Sequence, residues 1–325
     1  MAQSSLLIGD IGGTNARFAL ADPEQVAFSD AMTLKCADFA SADAAIQRYL
    51  EEVSAPAPTV ICLAAAGPLI GDSIKVTNNH WNISAKDVGG VFKIGAVRLL
   101  NDFEALAYSI PFLGDDDCAA IGLPMPRKLP DDKFNVAIIG PGTGLGTAGL
   151  CRRGDLLIPI SGEGGHTGFS PESQVQIEVL KVLRERFERV SVERLVSGSG
   201  IENIYNALTL IHAEKRTQLT AAEIFVAATT GNEPRAKETI SLFFDVLGQV
   251  AGDLALILDA RDGVFIAGGI AKRYPDLLTS SGFRNGFESK GRHRALMESI
   301  PTQLITHAEP GLLGSAYCAR ALSSS

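Results

Sequence analysis

Two glycine-rich stretches carry the residue types needed to hold an anion: Gly9-Asp10-Ile11-Gly12-Gly13-Thr14-Asn15 and Gly140-Pro141-Gly142-Thr143-Gly144. Glycine lets consecutive backbone N–H groups face an anion with no side chain in the way. Thr14, Asn15 and Thr143 add hydroxyl and amide donors. Each stretch lies between two apolar runs, so each reads as strand, turn, strand. Gly9 and Gly140 end matching runs, and Gly13 and Gly144 keep the same offset, a weak internal duplication that points to two lobes. One such turn alone is more simply a tight hairpin. Two, both with threonine and one with an aspartate closing its strand, favour phosphate binding. No G-x-x-x-x-G-K-S/T motif is present, neither turn gives G-x-G-x-x-G entering a helix, and the protein-kinase motifs are missing.

The elements that must position these turns follow from patterning. Strands are expected at Ser5–Gly9, Ala16–Ala21, Ala27–Leu34 and Val60–Ala66, with another near Asp72–Thr77. Ala45, Ile46, Tyr49, Leu50 and Val53 recur at helical spacing behind Ser41, which predicts a helix over 42–53. Val97–Leu100 is a strand running into Asn101-Asp102, and a helix over Phe103–Ser109 follows. Gly114–Pro130 holds three consecutive aspartates and three prolines and reads as a linker-like boundary. The second half repeats strand, turn, strand, then Leu156–Ile160 and the loop Ser161–Gly168. Beyond it the chain reads as mostly helical. One helix opens at Ser170-Pro171 with proline at its first position, another at the capping box Thr220–Glu223, and a long one spans Pro234 to Asp259. Gly263–Ile270 is a strand entering a glycine turn, and Leu312–Leu322 is helical.

Composition narrows the function. The 325 residues suffice for two domains, and 46% hydrophobic content supports sizeable cores. A net charge of −8 without a basic stripe argues against nucleic acid, so an anionic ligand needs local donors and a metal ion. The five scattered cysteines contain no C-x-x-C and read as reduced thiols. Met1–Ser5 lacks a basic leader, and Val60–Ile70, broken by Gly67 and Pro68, is too short to span a bilayer. A cytoplasmic protein without a membrane partner is expected.

Asp10–Arg17, Leu100-Asn101-Asp102-Phe103, Gly140–Gly146, Gly162-Glu163-Gly164-Gly165-His166, Ile266–Ile270 and Pro310–Ser315 occur in that order. Together they resemble the bacterial ATP-dependent glucokinases, nearly end to end. The related repressor and sugar-kinase family shares the G-E-x-G-H element but usually carries a cysteine-rich zinc motif after it, and none follows His166. The resemblance implies an α/β, two-lobed ribonuclease H-like (actin-like ATPase) fold with an interlobe active-site cleft. It implies a small domain of 1–112 plus 309–325, a large domain of 113–308, and a homodimer.

The resemblance also implies roles. Asp102 is the general base for a glucose hydroxyl, a task for a carboxylate within hydrogen-bond reach. By residue type alone, Asp102 would more simply cap the following helix. Asn101, Asp102, Glu163, His166 and Glu193 bind the sugar, whose hydroxyls both donate and accept. His166 is otherwise an ordinary loop histidine, and Glu193 otherwise suits the start of a helical turn. Gly9, Asp10, Ile11, Gly12, Gly13, Thr14 and Asn15 hold one end of ATP, Gly142, Thr143 and Gly144 the other, and Gly268 and Gly269 lie near the nucleoside. Asp10 positions Mg²⁺ through water, since that ion keeps much of its hydration shell. A kinase for another hexose or an amino sugar, a non-catalytic sugar sensor and a filament-forming relative are the alternatives.

Overall fold

A computed structural model describes residues 5–214, 218–231 and 233–323. The chain divides into two compact units: one within Met1–Asp116 and His307–Ser325, the other Asp117–Thr306.

The first unit is built on strands β1 (Leu6–Ile11), β2 (Asn15–Ala21), β3 (Phe28–Lys35) and β4 (Val60–Ala65), with helix α1 (Ala42–Glu52) between the last two. The Ser41 hydroxyl caps α1 by accepting from the Ala44 N–H. A small antiparallel sheet of β5 (Leu69–Ile70), β6 (Ser73–Lys75) and β7 (Asn82–Ser84) follows, then α2 (Ala85–Phe92), β8 (Val97–Asn101) and α3 (Asp102–Ser109). The expected strand over Asp72–Thr77 is thus three residues long. The main sheet has the order β3-β2-β1-β4-β8: β1 to β3 form an antiparallel meander, and β4 and β8 run parallel to β1. Every residue of β4, Val-Ile-Cys-Leu-Ala-Ala, is buried, as a central parallel strand covered on both faces must be.

The second unit contains β9 (Cys118–Ala120), β10 (Lys133–Pro141), β11 (Leu145–Arg153), β12 (Leu156–Gly162), α4 (Gln174–Arg186), α5 (Gly198–Ile211), α6 (Ala221–Thr230), α7 (Pro234–Leu258) and β13 (Gly263–Ile266). Short helices α8 (Gly269–Arg273), α9 (Pro275–Ser280), α10 (Phe283–Glu288) and α11 (Arg294–Glu298) precede β14 (Thr302–Ile305). Its sheet has the order β12-β11-β10-β13-β14-β9. The first five positions repeat the plan of the first unit: an antiparallel meander, then two strands parallel to the one at its edge. The duplication of the glycine turns is therefore a duplication of sheet topology.

Two expectations are corrected here. Gly114–Pro130 is not merely a linker, because Cys118–Ala120 pairs with β14 and the Ile121 N–H donates to the Thr302 carbonyl at 2.9 Å. The helix placed at Ser170-Pro171 starts at Gln174, because the Ser173 hydroxyl, not proline geometry, supplies the cap by accepting from Gln176 N–H. The capping box at Thr220–Glu223 is present in full.

Helix α7 is the spine of the second core, with Phe243, Phe244, Val246, Leu247 and Ala251 buried among the faces of α5, α6 and α10. It is long and apolar enough to cross a membrane, but 67% of that apolar window is buried inside the unit, so its apolarity is accounted for by the core. The segment 273–293, which the sequence leaves without a role, packs onto α7. Arg284 ties it down by donating to the carbonyls of Ile300 and Met297 and to Thr302 Oγ1 at 2.8–3.1 Å.

The last element, α12 (Pro310–Ser323), belongs to the first unit, where it packs on β1, β4 and α3. Gly314 lies so close to the Ala105 carbonyl that no side chain would fit between them.

Candidate active site

In the first unit the functional candidates gather at one edge of the sheet. The parallel pairings Ile11↔Ala65 and Ala65↔Asn101 bring the ends of β1, β4 and β8 side by side. Strands lie about 4.8 Å apart, so the first glycine turn and the Asn101-Asp102 step are separated by roughly 10 Å. The turn Gly12–Thr14 closes β1 onto β2 through Gly12 N–H to the Asn15 carbonyl, 2.9 Å. Asp10 lies opposite Arg17 across that hairpin. Arg17 pairs with Glu309 at 3.0 Å. A Cβ on Gly311, in the first turn of α12, would stand 2.7 Å from Asp10 Oδ2, so glycine is required for the carboxylate to fit there. Burial pushes the Asp10 carboxyl up to about 6; Arg17 opposes the shift and Glu309 adds to it.

Asn101 and Asp102 divide the roles that residue type alone gave to Asp102. Asn101 is the N-cap of α3: its Oδ1 accepts from Phe103 N–H at 2.9 Å, and its Nδ2 donates to the Gly67 carbonyl at 2.9 Å. Asp102 is the first helical residue, and its Oδ1 also accepts from Phe103 N–H at 2.9 Å. Arg98 on β8 braces the helix by reaching Glu104 at 3.3 Å and the Tyr108 hydroxyl at 3.2 Å.

In the second unit the turn Gly142–Gly144 closes β10 onto β11, with Gly142 N–H donating to the Gly144 carbonyl at 2.8 Å. Glu193, in a short helical turn over Val192–Arg194, reaches this hairpin: its Oε2 accepts from Leu145 N–H at 2.9 Å. A Cβ on Gly144 would come within 2.5 Å of that oxygen. Glu163 is the N-cap residue and His166 the last residue of a single helical turn, Gly164–His166, and both are exposed. Thr147 anchors this loop by accepting from Gly164 N–H at 3.0 Å. Arg189 donates to the His166 carbonyl at 2.7 Å. Gly268, at φ +88, lies tightly against the Pro141 carbonyl, and Ala267 N–H donates to Ile139, so the glycine turn after β13 joins the same edge. Residues that sequence reasoning passed over also join it: the Gly198 N–H, at the start of α5, donates to the Gly142 carbonyl at 2.9 Å. Ser197-Gly198-Ser199-Gly200 was a legible signal, a hydroxyl cap opening a helix with glycines at close approach.

The structure thus collects Gly9–Asn15, Asn101 and Asp102 in one unit, and Gly142–Gly144, Glu163, His166, Glu193, Gly268 and Gly269 in the other. Among the described residues, no group of three or more His, Cys, Asp or Glu side chains is placed to hold a metal ion. The partly buried Asp10 carboxylate beside a glycine turn fits Mg²⁺, which takes one or two carboxylates and fills its shell with phosphate oxygens and water.

The glucokinase family model matches residues 7–322. The chain belongs to the glucokinase family. It is 41% identical to a glucokinase of Chromohalobacter salexigens over 95% of both chains, and 42% identical to one of Caulobacter sp. over 95% of this chain and 93% of the other. Its structure superposes on that of a glucokinase from an Antarctic psychrotroph with TM-score 0.88 and 34% identity, covering 99% of this chain and 100% of the other. The glucokinase chain therefore has the actin-like ATPase fold, which the paired sheet topologies also display.

Proposed function

We propose that this protein transfers the γ-phosphoryl group of ATP to the 6-hydroxyl of D-glucose, the first step of glucose use in glycolysis. Membership of the glucokinase family across 7–322 carries the reading. Phosphoryl transfer asks for positioning and charge neutralisation more than for covalent help from the protein. The turn Gly12, Gly13, Thr14 and Asn15 cradles one part of the polyphosphate and Gly142, Thr143 and Gly144 another, with Thr14, Asn15 and Thr143 supplying hydroxyl and amide donors while the Gly12 and Gly142 N–H groups close the turns. Gly268 and Gly269 leave room for the nucleoside. Bound Mg²⁺ would neutralise charge on the β- and γ-phosphates. Asp10 would orient that ion through water.

Asn101, Glu163, His166 and Glu193 hold the sugar hydroxyls, and Asp102 accepts the proton of the attacking hydroxyl. Glu193 also accepts from Leu145 N–H, so the same carboxylate that faces the sugar steadies the adjoining phosphate turn. We further read the enzyme as cytoplasmic and homodimeric. Leu156, Ile158 and Ile160 on the edge strand β12 are all exposed and, at alternate positions, share one face of the sheet. The deciding experiment is coupled detection of ADP release from Mg²⁺-ATP with glucose, without it, and with a panel of other hexoses. Glucose-dependent release is expected. A clear preference for another sugar would overturn the substrate, and no release with any hexose would overturn the activity. Sedimentation at micromolar concentration tests the dimer.

A further inference from the structure

The segment from Ala66 to Trp81, which includes β5 and β6, has no place in the reaction as described. It nonetheless touches both functional features of its unit. Asn79 Nδ2 donates to the Gly12 carbonyl at 3.4 Å, on the glycine turn. Asn79 Oδ1 accepts from Trp81 N–H at 3.0 Å, and Val76 N–H donates to the Trp81 carbonyl at 3.0 Å, which closes a tight loop around Thr77–His80. Asn78 sits in the left-handed region at φ +56, as such a tight reversal requires. Thr77 N–H then donates to the Ala66 carbonyl at 2.8 Å, and Ala66 N–H to the Ile11 carbonyl at 2.9 Å. The next carbonyl, that of Gly67, accepts from Asn101 Nδ2 at 2.9 Å.

Little slack exists along this path. A Cβ on Gly13 would lie 3.0 Å from the Thr77 carbonyl, and one on Gly67, at φ +144, 2.7 Å from that of Lys75. The loop is therefore seated against the turn at one end and against Asn101 at the other. A displacement of Gly12–Gly13 on binding an anion must be passed to Ala66–Gly67 or break one of these bonds.

We infer that Asn79 is a positioning residue that couples the Gly12 turn to Asn101, so that nucleotide and sugar tighten each other's binding through this loop. The inference rests on the assignment of the Gly12 turn to ATP and of Asn101 to the sugar. It places Asn79 in contact with neither ligand.

Trp81 supplies the readout. It is the single tryptophan of the chain, it is buried, and its backbone N–H is the one bonded to Asn79. Its indole N–H donates to the Phe39 carbonyl at 3.2 Å, which fixes the ring in place. Fluorescence titrations with glucose, and with a non-hydrolysable ATP analogue plus Mg²⁺, are run on the full chain, each with and without the other ligand at saturation, and checked by calorimetry. The wild type is expected to show mutual tightening of about 5-fold or more, equal in both directions as linkage requires. Asn79→Ala should bring that factor to within about 2-fold of unity while glucose binding alone changes by less than about 2-fold.

Asn79→Asp keeps the acceptor for Trp81 N–H and removes the donor to Gly12, so it should lose the coupling as alanine does. Wild-type coupling in either variant, no coupling in the wild type, or misfolding of both variants overturns the inference. Failure of the kinase reading is separate, because it shows as absence of glucose-dependent ADP release from the wild type.

Discussion

The two glycine turns share a topology and differ in where their charge comes from. Each joins the first two strands of a meander whose edge strand has a parallel neighbour, β4 beside β1 and β13 beside β10. The first turn carries its own acid: Asp10 is next to last in β1, and burial raises its carboxyl to about 6. Gly140, next to last in β10, occupies the corresponding place in the second. That turn takes its carboxylate from elsewhere, since Glu193 reaches Leu145 N–H from a segment 48 residues away. A duplicated frame has thus been given one charged copy and one neutral copy braced from outside. Asp102, the proposed base, shares a unit with the charged turn, whereas Glu193, a proposed sugar ligand, lies in the other.

Substitutions can break that comparison, and the largest effect is expected at Asp102. Asp102→Asn should lower kcat by about 10²- to 10⁴-fold, the usual worth of a general base, with glucose affinity nearly unchanged. Steady-state kinetics beside calorimetric glucose binding would check it, and near-normal turnover would remove Asp102 as base. Next comes Glu193→Gln, which should raise KM for glucose about 10-fold and lower kcat less. A mainly kcat effect would erase the proposed division between the units. Gly268→Ala should follow at about 1–3 kcal/mol of lost stability, because it puts a side chain at positive φ against the Pro141 carbonyl. Urea denaturation reads that loss.

A last effect sharpens the comparison through pH. The Asp10 carboxyl in the fold, at about 6, lies above its ordinary value of 3.8. The native state therefore binds the proton more tightly, so this group favours folding below about pH 4 and that contribution is lost as pH rises through 6. At pH 7.5 the ionised carboxylate costs up to about 3 kcal/mol without ligand. Asp10→Asn should then melt at a temperature several degrees higher than the wild type at pH 7.5 and close to it at pH 4. Mg²⁺-ATP should narrow the gap at pH 7.5 by favouring the ionised wild type. An equal gap at both pH values would refute the linkage. No counterpart is expected for the second turn, where Gly140 holds the corresponding place.

Both turns, the strands around them, the capped helices and the family motifs were legible because each is local: a glycine pattern, a periodicity, a hydroxyl followed three residues later by glutamate. What was not legible is held by distant partners. Cys118–Ala120 has no strand signal strong enough to outweigh the surrounding prolines and aspartates, and is a strand only because β14 pairs with it. The start of α4 is not fixed locally because two serines, Ser170 beside a proline and Ser173, could each cap it, and the fold uses Ser173. Gly311 against Asp10, Glu193 on Leu145 and Asn79 on Gly12 join residues far apart in sequence, and no spacing announces them. For the candidate site, the residue types that could do the chemistry stand in the sequence, whereas the surroundings of the Asp10 carboxylate come only from the fold.

The closing helix α12 bears on the order in which the molecule is made. The second unit is continuous, so its whole length leaves the ribosome before the first unit has received its last segment. Until then β1 lacks the helix that packs on it, Asp10 lacks Gly311 beside it, Arg17 lacks Glu309, and the Gly9 carbonyl lacks the Ser315 hydroxyl that donates to it at 3.5 Å. A nascent chain therefore presents an unfinished first glycine turn until Glu309–Ser315 has been made, and only then are the surroundings of the Asp10 carboxylate complete.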